Sequence, residues 1–150
     1  MIKSKFLFLI IIIINFLNVD NLSANKIEIL YKVENYPITN KDISKEINYL
    51  TMLNDKLKKV SEKDLIQYAT KSIVKEKVKK NEIVKNLYLG QNDEVIENQL
   101  KILKKNLNLG DEEFKDLISK LDITENYLKE KIEVEILWNK LIYGIYKDKV

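Results

Sequence analysis

The sequence predicts a mainly α-helical domain that opens with a small β-hairpin and continues with about five helices, the last one long and central. Three observations predict this fold class. Apolar residues recur at helical spacing after residue 40, capping motifs precede these stretches, and apolar and polar residues alternate between residues 26 and 34. A chain of 150 residues is long enough for one ordinary domain.

Composition favours a binding protein over an enzyme. The sequence contains no His and no Cys, which excludes Ser-His-Asp triads, Cys-His nucleophiles, disulfides and zinc sites built from these residues. Three glycines leave no room for a Gly-rich phosphate loop. We therefore expect no catalytic residues, no metal site and no cofactor. Acids and bases are interspersed instead of segregated, so we expect no nucleic-acid partner.

Residues 1–24 have the pattern of a secretory signal peptide. Lys3 and Lys5 precede an apolar run over residues 6–17, and a polar stretch then leads to Ala24. The run is shorter than the roughly twenty residues that a membrane-spanning helix needs. We expect export, cleavage near Ala24 and a mature domain over residues 25–150. A retained N-terminal anchor is the alternative.

The hairpin is predicted from the alternation between Ile27 and Val33, which is typical of a strand with one buried face. Turn-forming residues follow at 35–37 and include the only proline of the chain. Ile38 then resumes an extended conformation. Because an isolated hairpin is marginally stable in water, it must pack on the helices or pair with another strand.

Capping boxes mark the first two helices. Thr39 and Asp42 form the first box, and Ser61 and Asp64 form the second. Residues 54–60 are polar and rich in lysine, and we predict a loop there. The predicted core-facing residues are Ile43, Ile47 and Leu50 in the first helix and Leu65, Ile66, Ala69, Ile73 and Val74 in the second.

Acidic residues mark the starts of the third and fourth helices, near residues 92–94 and 110–113, where the helix dipole favours them. Thr124 is predicted to cap the fifth and longest helix, over about residues 125–148. The predicted core-facing residues are Ile96, Leu100, Leu103 and Leu107 in the third helix and Phe114, Leu117, Ile118 and Leu121 in the fourth.

The fifth helix carries more apolar surface than one core-facing stripe needs. One stripe runs from Leu128 to Ile136, and a second runs from Val134 to Ile145. Such a helix is either a central core helix or contacts a partner with its uncovered side. In the second case the candidate client-binding residues are Trp138, Leu141, Tyr143 and Tyr146.

Three segments resemble the SurA-like periplasmic chaperones. Residues 31–43 are similar to the opening of that family, with a short strand, a turn, Ile-Thr and an acid that starts the first helix. Residues 34–35 are Glu-Asn where the family often has Asn-Gly. Residues 106–114 and 121–127 resemble two later helix starts of the family. The resemblance covers about residues 26–147.

The resemblance implies an ATP-independent holding chaperone of the periplasm. Its partners would be unfolded outer-membrane or envelope proteins, which it would bind in an apolar and aromatic groove beside the fifth helix. The parvulin-type isomerase domains of the family use histidines, which this chain lacks, so we expect no prolyl isomerase activity from it.

Two other hypotheses remain open. The chain could be the N-terminal substrate-binding fragment of a longer parvulin-type peptidyl-prolyl isomerase chaperone. It could also be an exported helical domain that forms a homodimer through the fifth helix and has no client.

Overall fold

A computed structural model describes residues 26–86 and 93–147. Strands β1 (Ile29–Val33) and β2 (Tyr36–Thr39) form an antiparallel hairpin, and five α-helices follow in the described residues. The helices are α1 (Asn40–Leu53), α2 (Glu62–Asn86), α3 (Asp93–Asn106), α4 (Asp111–Lys120) and α5 (Glu125–Tyr146). The predicted fold class is confirmed.

The predicted signal peptide, residues 1–24 with its cut near Ala24, lies outside the described residues. Within the described ranges, no helix combines the length and the apolar character that crossing a membrane requires.

The hairpin turn lies earlier than the sequence predicted. Val33 pairs with Tyr36, so Glu34 and Asn35 form the turn, and Glu34 adopts a left-handed conformation with φ 50°. Pro37 is a strand residue. It is tolerated because each strand of a two-stranded sheet has an outer edge, where a missing N–H breaks no ladder hydrogen bond.

The alternation predicted the strand β1 but not its burial. Ile29 and Tyr31 are largely exposed, as is Ile27 just before the strand, and only Val33 is partly covered. The burial of the hairpin comes instead from Ile38 on β2, which is completely enclosed by α1 and α2.

The predicted capping box at Thr39 and Asp42 is formed, and the one predicted at Ser61 and Asp64 is formed in part. The Thr39 hydroxyl accepts a hydrogen bond from the Asp42 N–H at 3.2 Å, and the Asp42 carboxylate accepts one from the Thr39 N–H at 2.8 Å. The Ser61 hydroxyl accepts from the Asp64 N–H at 3.3 Å, and Thr124 caps α5. These bonds satisfy donors that a helix N-terminus otherwise leaves unpaired.

Helix α2, with 25 residues, is longer than α5, with 22, so the prediction that the fifth helix is the longest was wrong. Residues 75–86 continue α2 because no Gly or Pro interrupts them, and Ile83 is buried on this part. Ile66 was predicted to face the core but is 42% exposed. The predicted loop over residues 54–60 contains a short 3-10 helix, Asp55–Lys59.

Buried apolar side chains form three clusters. The first surrounds Phe114 and joins α1, α3, α4 and α5. The second surrounds Ile38 and joins β2, α1 and α2, and the third joins Ile83 of α2 to Val134 and Leu137 of α5. Because α5 contributes to the first and third clusters, it is central to the packing, as predicted.

Candidate functional site

Three charged side chains meet in the interior of the helical domain. Glu46 of α1 is completely buried, and Lys131 of α5 is only 8% exposed. The Lys131 ammonium lies 2.6 Å from Glu46 Oε2 and forms a second ion pair with Glu76 of α2. One ammonium group therefore joins carboxylates from two helices to a third helix.

Hydroxyl groups complete the hydrogen bonding of Glu46. Ser72 Oγ donates to Oε1 of Glu46, and the Tyr127 hydroxyl donates to Oε2, each at 2.6 Å. In the described part of the chain, no buried side-chain nitrogen or oxygen lacks a hydrogen-bond partner. Complete pairing is required here because an unpaired buried charge costs several kcal/mol.

Two tyrosine rings flank the ammonium group. Lys131 Nζ lies 4.7 Å from the ring centroid of Tyr49 and 5.2 Å from that of Tyr127. The two rings meet edge to face, with centroids 6.2 Å apart. Cation–π attraction thus adds to the two ion pairs. We call these side chains the Lys131 network: Glu46, Tyr49, Ser72, Glu76, Tyr127 and Lys131.

Ion pairing outweighs burial at both Lys131 and Glu76. Burial alone would lower the pKa of Lys131, but Glu46 and Glu76 hold that pKa above its ordinary value. Burial alone would raise the pKa of Glu76, but Lys131 and Lys77 together hold that pKa below its ordinary value. Burial, followed by the charge of Glu46, raises the pKa of Tyr127, so its hydroxyl stays a donor.

The Lys131 network forms part of the lining of an open cleft with a volume of about 680 Å³. Helices α1, α2, α3 and α5 line this cleft, and α2 contributes polar side chains alone. The apolar lining comes from the other three helices: Leu50, Leu53, Ile102, Leu103, Ile132 and Ile136.

Several polar groups in the cleft have unused hydrogen-bonding capacity. In the described residues they form no hydrogen bond or ion pair with another side chain or with the backbone. The Tyr49 hydroxyl is not a buried unpaired group, so solvent reaches it. These groups are the Tyr49 hydroxyl, the Lys75 ammonium and the side-chain amides of Gln99, Asn106 and Asn139.

The four client-binding residues predicted from sequence lie outside this cleft lining. Trp138 and Leu141 are partly buried against the cluster around Ile83. Tyr143 is 72% exposed and Tyr146 51% exposed near the carboxyl end of α5. Their assignment to client binding stays a prediction, and the cleft is a separate surface beside the same helix.

Sequence reasoning missed the Lys131 network, although the sequence carries a sign of it. Glu46 follows Ile43 by three residues, and Lys131 follows Leu128 by three, so each charge occupies a position on a buried stripe. A charged residue on such a stripe indicates either a buried ion pair or a long side chain that reaches solvent. The sequence alone does not distinguish these two.

Comparison with protein-family models, curated proteins and solved structures gave no match for this chain. Among the residues described, no three carboxylates, His or Cys side chains lie close enough together to hold a metal ion. A functional assignment therefore rests on the cleft, on the Lys131 network and on the sequence resemblance.

Replacing Lys131 with Met should lower the free energy of unfolding by about 3–5 kcal/mol at pH 7, because two buried carboxylates lose their counterion. Urea denaturation followed by circular dichroism measures this change. The matched control is Lys79→Met, which breaks a pair with the largely exposed Glu135 and should cost less than about 1 kcal/mol.

A triple variant separates charge from packing. Adding Glu46→Gln and Glu76→Gln to Lys131→Met removes the unpaired charges. The amide at position 46 keeps one carbonyl acceptor for the Ser72 or the Tyr127 hydroxyl and can donate from its NH2 group to the oxygen of the other. We expect most of the lost stability to return. A triple variant as unstable as Lys131→Met would contradict the electrostatic explanation.

The lowered pKa of Glu76 predicts a pH-dependent contribution to stability. The contribution is present above the unfolded pKa of about 4.3 and is lost as the pH falls toward the lower folded pKa. The difference in unfolding free energy between wild type and Glu76→Gln should therefore be constant from pH 6 to 8 and shrink below about pH 4. Urea titrations across this range measure it, and an unchanged difference in acid would disprove the prediction.

Proposed function

We propose that this protein is an ATP-independent holding chaperone of the periplasm that binds unfolded outer-membrane or envelope proteins. The observation that carries the proposal is a cleft that combines apolar side chains with unpaired hydrogen-bonding groups. An unfolded segment exposes both apolar side chains and backbone N–H and C=O groups, and both kinds of group are stabilised by partners.

The apolar side chains that would contact a client lie on α1, α3 and α5. Ile102 of α3 is 48% exposed, and Leu53 of α1 is exposed to a similar degree, although both are large apolar residues. Exposed apolar residues grouped in one concave surface are typical of interaction sites. Client side chains could cover Ile102 and Leu53 and so remove apolar surface from water.

The polar groups of the cleft would bind the client backbone, so these contacts do not depend on the client sequence. The side-chain amides of Gln99, Asn106 and Asn139 can each donate and accept hydrogen bonds. The backbone of any extended segment offers the complementary groups at every residue except proline. Such contacts support binding of many different clients, as a holding chaperone requires.

The location of this activity is part of the proposal. The leader-like residues 1–24 support export, and the resemblance to periplasmic chaperones over residues 26–147 supports the periplasm.

Exposed apolar residues outside the cleft favour a second candidate. Ile29 and Tyr31 on β1, together with Tyr143 and Tyr146 on α5, are at least half exposed. These surfaces suit contact with a further part of a longer isomerase chaperone or with a second copy of the chain.

Replacing Ile102 with Asp should weaken binding of an unfolded outer-membrane segment by about tenfold or more, because the variant loses an apolar contact of the size of an Ile side chain. Fluorescence anisotropy of the labelled segment gives the dissociation constant, and light scattering gives the suppression of aggregation. Ile66→Asp is the matched control, since Ile66 is exposed to a similar degree but lies outside the cleft lining.

The same titration separates the two surfaces. If Ile102→Asp binds like wild type while Tyr143→Ala combined with Tyr146→Ala loses binding, the client site lies at the carboxyl end of α5 and not in the cleft. If wild-type protein neither binds the segment nor suppresses aggregation, the chaperone proposal is wrong.

A further inference from the structure

We infer that the cleft prefers extended segments in which apolar and acidic residues alternate. This inference rests on the proposed function and names the chemistry of the client that the cleft favours. It follows from which charged groups of the cleft are already paired, and from how apolar and polar side chains are divided among its helices.

The charged groups in the lining are Lys75, Glu76, Lys79, Lys131 and Glu135. All of them except Lys75 form ion pairs with other charged side chains of the domain. Lys131 is held by Glu46 and Glu76, and Glu76 also pairs with Lys77. Lys79 donates to both carboxylate oxygens of Glu135, at 2.5 and 2.7 Å.

Lys75 is the exception among the described lining residues. Its ammonium forms no ion pair or hydrogen bond with another described residue, and its side chain is exposed. Both carboxylates in the lining are already paired with lysines. A ligand that complements the charge of the cleft therefore carries an anionic group next to α2.

The division of side chains among the helices sets the pattern of the ligand. Helix α2 contributes only Ser72, Lys75, Glu76 and Lys79, whereas the apolar lining comes from α1, α3 and α5. Successive side chains of an extended segment point in opposite directions. A segment with alternating apolar and acidic residues thus presents an apolar side that suits the lining from α1, α3 and α5, and an acidic side that suits Lys75 of α2.

A basic segment fits less well. Its ammonium groups would face Lys75 without a free carboxylate to receive them, and they would compete with Lys79 for Glu135. Such like-charge contacts discriminate between ligands that bury the same apolar area.

Three synthetic peptides test the inference. They share one length and the same apolar residues, and their alternate positions carry Asp, Ser or Lys. Fluorescence anisotropy with the full chain should show the Asp peptide binding about threefold more tightly than the Ser peptide, as expected for a partly exposed ion pair. The Lys peptide should bind most weakly. The differences should largely disappear at about 1 M salt.

Charge reversal at Lys75 is a second test of the preference for acidic segments. Lys75→Glu should invert the order of the Asp and Lys peptides. Lys63→Glu is the matched control, because it changes net charge equally on the same helix. It lies about 18 Å away along the helix axis, beyond the Debye length of about 8 Å at physiological ionic strength. It should keep the wild-type order.

The possible failures are distinguishable. If none of the peptides binds but the unfolded outer-membrane segment does, the inferred preference is wrong and the proposed function stands. If neither the peptides nor that segment bind, the proposed function falls and the inference falls with it. If all three bind equally to wild type and to Lys75→Glu, the cleft binds extended segments but the preference for acids is wrong. If Lys63→Glu inverts the order as well, the preference reflects net charge and the role of Lys75 is overturned.

Discussion

The structure depends on complete pairing of its buried charges, in which the Lys131 ammonium of α5 joins Glu46 of α1 and Glu76 of α2. On each of these helices the charged residue lies along the sequence between members of two different apolar clusters. Each of the three clusters is small and joins only some of the helices. The ion pairs therefore connect helices that share only part of their apolar packing. The flanking core residues are Ile43 and Met52 around Glu46, Ile73 and Ile83 around Glu76, and Leu128 and Val134 around Lys131.

The same network explains why a cleft exists beside α5. Tyr49, Ser72, Glu76 and Lys131 belong both to the network and to the lining of the cleft. Closing the cleft would take these groups further from water, and desolvation of ion pairs is costly. The bonds that hold the helices together therefore also keep polar groups next to Leu50 and other apolar side chains. This mixture suits a ligand with both backbone polar groups and apolar side chains.

The sequence predicted the fold well because local rules govern it. The capping residue Thr39 and the apolar spacing on each helix depend on neighbours within one or two turns. The length of α2 and the exposure of Ile66 depend on tertiary contacts, which no local pattern contains. The cleft was missed for the same reason. Aromatic residues such as Tyr143 predict a client surface at the end of α5, which stays a prediction, whereas the sign of the Lys131 network in the sequence is a charge on a buried stripe.

Backbone amide NMR shifts can locate the client-binding surface on the protein. An unlabelled unfolded outer-membrane segment would be added to the ¹⁵N-labelled chain, and the shift of every assigned amide would be followed. The largest changes should fall in residues 49–53, 72–79, 99–106 and 131–139, which contribute to the cleft. Changes confined to β1 and to residues 143–147, with the cleft residues unaltered, would contradict this prediction.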